Sequence, residues 1–139
     1  MTGFTIDQLE VGQRASFSKT VSETDVYLFA GISGDFNPAH INQAYAEKTA
    51  FKTRIAHGML CAGFISTVLG CQMPGPGTIY VSQSLNFLAP VFIGDTITAT
   101  AQVEEILSAK KRVRIQTICT NQDGKVVLKG EALVSPPRG

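Results

Sequence analysis

The stretch GMLCAGFISTVLG, residues 58–70, has no charged side chain, and its only polar ones are Ser66 and Thr67. A helix without a polar face must be covered on nearly every side. Whatever else this chain does, it has to wrap that segment. A buried strand is the other reading, but the Ala, Leu and Met content favours a helix. At 13 residues the segment is too short to span a bilayer, which takes about 20.

The C-terminal half supplies the wrap. From Ile79 the apolar period changes to two, the signature of strands half-buried on a sheet. Ile79, Val81, Leu85 and Phe87 form one apolar face, interrupted by Gln83. Ile97, Ala99, Ala101 and Val103 repeat the pattern after a Gly94-Asp95 turn. Val113, Ile115 and Thr117 make a third strand, and Val126, Leu128, Ala132 and Val134 a fourth. The last two are joined by NQDG at 121–124, a hairpin signal. An early strand over 15–21 can join them. PGPG at 74–77 is a rigid turn without chemistry. Lys110-Lys111-Arg112 reads either as a solvated hairpin end or as an anchor for a nucleotide phosphate.

The N-terminal part reads as helix. Ser22 suits an N-cap, Glu23 and Asp25 suit the positive end of the helix dipole, and Val26, Phe29 and Ala30 give an apolar face. Gly31 and Gly34 let this helix finish near residue 33. A shorter helix is expected over 42–49, with Ile41, Ala44 and Tyr45 facing inward. The class is therefore α+β: a twisted antiparallel meander curled around one apolar helix. No linker is visible, so residues 1–139 form a single domain.

Composition narrows the function. A net charge of +1 offers no general attraction to nucleic acid or to an acidic surface. Hydrophobic residues are 44% and charged residues 17%, an apolar balance that suggests cover by another subunit. Cys61, Cys71 and Cys119 are odd in number and lack metal-ligand spacing, so no disulfide framework and no metal site are expected. With no secretory signal visible, the expectation is a soluble cytoplasmic protein.

Chemistry concentrates in two places. Asp35 and His40 flank Asn37-Pro38, and proline both fixes its own φ and pushes Asn37 out of the α region. The plain reading is a capped polar loop. The chemical reading is a stiff bend on which a carboxylate and an imidazole hold one water. His57-Gly58 opens the apolar helix. His57 reads as a helix-entry residue with ordinary hydrogen bonds. Gly58 either permits tight packing or lets a substrate carbonyl reach a free N–H at the positive helix end. Ser66, one of the helix's two hydroxyls, either bonds back to the Ala62 carbonyl or lines a site.

YLFAGISGDFNPAHINQAYA (27–46), with AFKTRIAHGMLCAGFIS (50–66) and IYVSQSLNFLAPVFIGDTI (79–97), resembles the MaoC-type (R)-specific enoyl-CoA hydratases, most closely the short single-domain ones that feed polyester synthesis. The resemblance covers almost the whole chain. It implies a hot-dog fold, a curved antiparallel sheet around a long central helix, and a homodimer acting on an acyl-CoA thioester with no cofactor. It puts Asp35 and His40 on the catalytic pair, Gly58 on the N–H donor to the thioester carbonyl, and Ser66 on a serine near the site. Asp35 is the first candidate to take a proton from water and His40 to supply or relay one, although the roles can be exchanged. Ala39 and Arg54 depart from the usual residues, the latter standing where relatives often have proline. A dehydratase acting on an acyl carrier protein, a thioesterase and a non-catalytic acyl-binding module are the alternatives.

Overall fold

The apolar segment is the helix around which the domain closes. The computed structural model describes residues 2–139. Its strands are β1 (Arg14–Thr20), β2 (Ile79–Gln83), β3 (Asn86–Phe87), β4 (Thr96–Leu107), β5 (Arg112–Thr120) and β6 (Val126–Ser135). Its helices are α1 (Glu23–Ser33), α2 (Pro38–Ile41), α3 (Gln43–Ala46) and α4 (Gly58–Cys71). The sheet runs β1-β4-β5-β6-β2, antiparallel throughout, with β3 pairing β6 beside β2. This is the expected hot-dog arrangement.

Cys61, Phe64, Ile65, Val68 and Leu69 of α4 are buried, at the spacing that puts them on one helical face. They meet the inward residues of β4 (Ile97, Ala99, Ala101, Val103) and β5 (Val113, Ile115, Cys119) in one core. The cover is incomplete, however. Met59, Gly63, Ser66 and Gly70 form an exposed stripe, so α4 is not wrapped on every side within one chain.

Three expectations are corrected. Residues 79–87 are not one strand with an apolar inner face. They split into β2 and β3, and Ile79 (65%), Val81 (43%) and Phe87 (53%) are exposed, while Leu85 packs on the core. The split falls where the Ser84 carbonyl approaches Gly130 so closely that a Cβ there would sit 1.8 Å from the oxygen. Only glycine admits such an approach. In β6, Val127 rather than Val126 is buried beside Leu128, because the register of β5 against β6 shifts between Cys119 and Thr120. Finally, no single helix spans 42–49. Asn42 takes an extended backbone and its side chain accepts from the Tyr45 N–H, so the helix there, α3, covers only Gln43–Ala46 and is separated from α2. Ala46 is the buried residue there, while Ala44 and Tyr45 are exposed.

The first helix is as expected. Ser22 and Asp25 form a reciprocal cap, and α1 ends on Gly34 at φ +82°. Lys19 bonds the Asp25 carboxylate at 2.9 Å and, with the Ser22 N–H, holds that carboxyl below its ordinary range.

Candidate active site

The backbone between α1 and α2 sets the first half of the site. Ser33 accepts from the Asp35 N–H (3.2 Å), and the Asp35 carboxylate accepts from the Asn37 N–H (3.2 Å). The Asn37 side chain then accepts from the Ala39 N–H (3.1 Å), with Pro38 at the first helical position. Asn37 itself is extended (ψ 125°), as the following proline requires. Asp35 and His40 are thus fixed on either side of a tight helical start rather than on a free loop.

The strand-like link into α4 sets the second half. Ile55 donates its N–H to the Ala39 carbonyl (3.2 Å), and its own carbonyl lies 2.7 Å from His40 Nδ1. A carbonyl oxygen only accepts, so Nδ1 carries the proton and the neutral ring keeps its lone pair on Nε2. His57 Nε2 lies 2.9 Å from the Asp35 carbonyl and must donate for the same reason. The two imidazoles stack at 3.9 Å between centroids and 30° between planes.

These groups face one cavity of about 500 Å³. Asp35, His40, His57 and Gly58 form its polar end, and Phe51, Ile55, Met59, Phe87, Leu88 and Val91 are among its apolar walls. Gly58 is the first residue of α4, so its N–H has no partner within the helix. Cys61 also lines the cavity, yet burial pushes its thiol up to about 12. It stays protonated near neutral pH and is no nucleophile.

One ligand-type atom from each of Asp35, His40 and His57 lies within 4.8 Å of the other two. A metal would need both imidazole lone pairs to converge at about 2.0–2.1 Å. Two rings lying nearly face to face hold those in-plane lone pairs apart, so the cluster is better suited to a water than to a cation.

Of the residues expected from the sequence, Asp35, His40 and Gly58 come together. Ser66 does not join them. It is exposed, bonds none of the described residues, and lines a second cavity with Phe29, Tyr80, Gln83 and Leu85. Met59 borders both cavities. The hydroxyl that does bond back along α4 is Thr67, to the Gly63 carbonyl (3.2 Å).

Arg54, one of the departures from the family pattern, points away from this chemistry. Its guanidinium donates to Glu23 (2.8 Å), Gln43 (3.2 Å) and the Tyr27 hydroxyl, which in turn donates to the Ile41 carbonyl (3.3 Å). The side chain therefore ties α1 to the α2–α3 segment that carries His40. The residue that sequence reasoning underrated is His57. The available signal was that it is the only histidine besides His40 and stands immediately before the glycine that starts the apolar helix.

Comparison with known proteins gives one consistent picture. Residues 7–127 match the MaoC like domain. An (R)-specific enoyl-CoA hydratase of Rhodospirillum rubrum is 60% identical over 131 residues, covering 94% of this chain and 90% of that protein. One of the same name from Aeromonas caviae is 45% identical over 129 residues, covering 93% and 96%. The solved structure of R-hydratase PhaJ1 from Pseudomonas aeruginosa in the unliganded form superposes with a TM-score of 0.95 at 46% identity, covering 99% of this chain and 88% of that one.

Proposed function

The chain belongs to the MaoC-like domain family, and from that premise we propose that it adds water across the double bond of a trans-2-enoyl thioester of coenzyme A. It is a hydro-lyase, an (R)-specific enoyl-CoA hydratase, and the reverse reaction is dehydration. The observation that carries the mechanism is the convergence of Asp35, the free Nε2 of His40 and the start of α4 on one cavity.

The thioester carbonyl takes the Gly58 N–H. There the unpaired donor and the helix dipole stabilise the enolate charge that builds on oxygen. One water donates one O–H to the Asp35 carboxylate and the other to His40 Nε2. Its oxygen attacks the β-carbon while His40 takes the second proton, and the double-bond electrons move onto the α-carbon and carbonyl. His40 Nε2–H then returns that proton to the α-carbon. Water has been added, His40 is restored, and Asp35 has oriented the nucleophile throughout. This reverses the sequence-based preference for Asp35 as the base. The reason is that Nδ1–H is already committed to Ile55, so neutral His40 enters the reaction as an acceptor. Both groups lie on one side of the substrate, so addition is syn. Ser66 is assigned to the second cavity, where it can touch substrate only beyond Met59.

Crotonyl-CoA should lose its enoyl absorbance and give (R)-3-hydroxybutyryl-CoA on chiral analysis. Mainly (S) product would overturn the reading. Release of free thiol with the enoyl absorbance intact would make the protein a thioesterase instead. Faster turnover of the carrier-linked than of the CoA-linked substrate would make it a carrier-protein dehydratase.

We assign a homodimer to this protein. The open stripe of α4 and the exposed Ile79, Tyr80 and Val81 of β2 leave apolar surface uncovered, and the outer edge of β2 is unpaired. Sedimentation should give twice the chain mass. Ile79→Lys, a charge on that edge, should give a monomer; a variant that sediments like the parent would remove β2 from the interface. Three free cysteines, two of them buried, suit a reducing compartment, and we place the protein in the cytoplasm. None of its described helices is long and apolar enough to cross a membrane.

A further inference from the structure

We propose that His57 is a positioning residue: one imidazole that holds Asp35, His40 and the Gly58 N–H at a fixed spacing. The inference rests on the hydratase reading for its kinetic arm, but not for its spectroscopic one.

His57 occupies the N-cap of α4, a position that favours Ser, Thr, Asp or Asn because their side chains can bond the free helix N–H groups. His57 makes no such bond. The ring is nevertheless only 2% exposed, and its Nδ1 is buried without a hydrogen-bond partner among the described residues. Buried polar atoms are almost always satisfied, so an orphan of this kind calls for an explanation other than stability. What the ring does make are contacts with both halves of the site.

First, Nε2–H donates to the Asp35 carbonyl, 22 residues away in sequence, at 2.9 Å. Together with the Ser33 bond to the Asp35 N–H, this clamps the two peptide groups on either side of the Asp35 Cα, which presents the carboxylate. Second, its face lies on His40 at 3.9 Å between centroids. The bond from His40 Nδ1–H to Ile55 pins one atom of that ring and leaves it free to swing about the pinned atom. A stacked neighbour removes this freedom and fixes the plane in which the Nε2 lone pair points. Phe29 of α1 packs on the other partner, with its ring 4.8 Å from that of His57, so the stack is itself backed by the first helix. Third, the next peptide is the one whose N–H is assigned to the thioester carbonyl. Water holder, proton carrier and oxyanion donor are therefore all referred to one rigid ring.

Two substitutions separate the contacts. His57→Gln keeps an N–H able to reach the Asp35 carbonyl but has no ring. His57→Phe keeps a ring face for His40 but has no N–H. Misplacement of reacting groups by about 1 Å can cost about 10²-fold. Each variant is expected to lose about 10–10²-fold in kcat for crotonyl-CoA while KM stays within about threefold, the pattern of a lost transition-state contribution. Melting temperatures report that each is folded, and if one is not, the other decides.

The second readout is the imidazole proton spectrum, which is simple because the chain has only two histidines. In the parent the His40 ring protons should be displaced by the ring current of His57. In His57→Gln that displacement should vanish, and in His57→Phe it should persist. Unchanged His40 signals in the folded Gln variant would overturn the proposal. Parental kcat in either folded variant, or a loss confined to KM, would also overturn it. A parent inactive on every enoyl thioester would refute the hydratase reading, and the spectra would then decide the positioning role alone.

Discussion

Exchanging His40 for glutamine, or Asp35 for asparagine, is expected to leave a folded protein whose hydration of crotonyl-CoA is slower by about 10²–10⁴-fold. Asp35 is exposed and His40 half-buried, so neither contributes much to the core. The melting temperature should therefore barely move. Glutamine at 40 can fill most of the space but offers no lone pair that accepts and returns a proton. Asparagine at 35 keeps the shape and loses the charge that orients the water. Because both act on the same water, the double variant should be little worse than the worse single one; groups that work as a unit do not add. Steady-state rates of the three variants, with circular dichroism to establish folding, check this. Near-parental turnover by either single variant would mean that the water is held elsewhere in the cavity.

The sequence carries the architecture because two strong periodicities meet in it. The charge-free run from Gly58 favours a buried helix, the alternation of Ile97, Ala99, Ala101 and Val103 marks a strand covered on one side, and together they call for a sheet around a helix. Between residues 79 and 87 the same alternation misleads. Ile79, Val81 and Phe87 are apolar yet exposed, because a period of two reports that one side of a strand is covered without saying by what. The open stripe Met59, Gly63, Ser66 and Gly70 has the same ambiguity on α4. A second subunit, if it covers both, was legible in the composition only as surplus hydrophobicity.

The site is legible to a different depth at each residue. Asp35 and His40 are five residues apart and share one stiff turn, so local rules place them. Their link to α4 rests on contacts across 15 and 22 residues, from His40 to Ile55 and from His57 to Asp35, and no pattern in the chain announces these. Nor does spacing reveal a tautomer. Only the carbonyl of Ile55 fixes which nitrogen of His40 is free. Seven residues apart on α4, Ser66 and Met59 share a face, and it is the face that turns toward the second cavity.

Gly58→Ala keeps the backbone N–H but puts a methyl group beside it, and blocking that donor is expected to lower kcat for crotonyl-CoA by about 10²–10³-fold, comparable to the loss of an oxyanion donor. An added Cβ would stand 2.5 Å from Cδ1 and from Cε1 of the Phe87 ring, inside any permitted contact. Two explanations for the glycine thus compete: space for a substrate carbonyl at the N–H, or space for Phe87. They can be separated because Phe87 is 53% exposed and free to be trimmed. In Gly58→Ala with Phe87→Ala the ring clash is gone, and any loss of stability should be recovered. The new methyl group still crowds the approach to the helix N-terminus, so the rate should remain low. Phe87→Ala alone provides the reference for whatever that wall contributes to binding. Recovery of the Phe87→Ala rate in the double variant would show that the glycine serves packing.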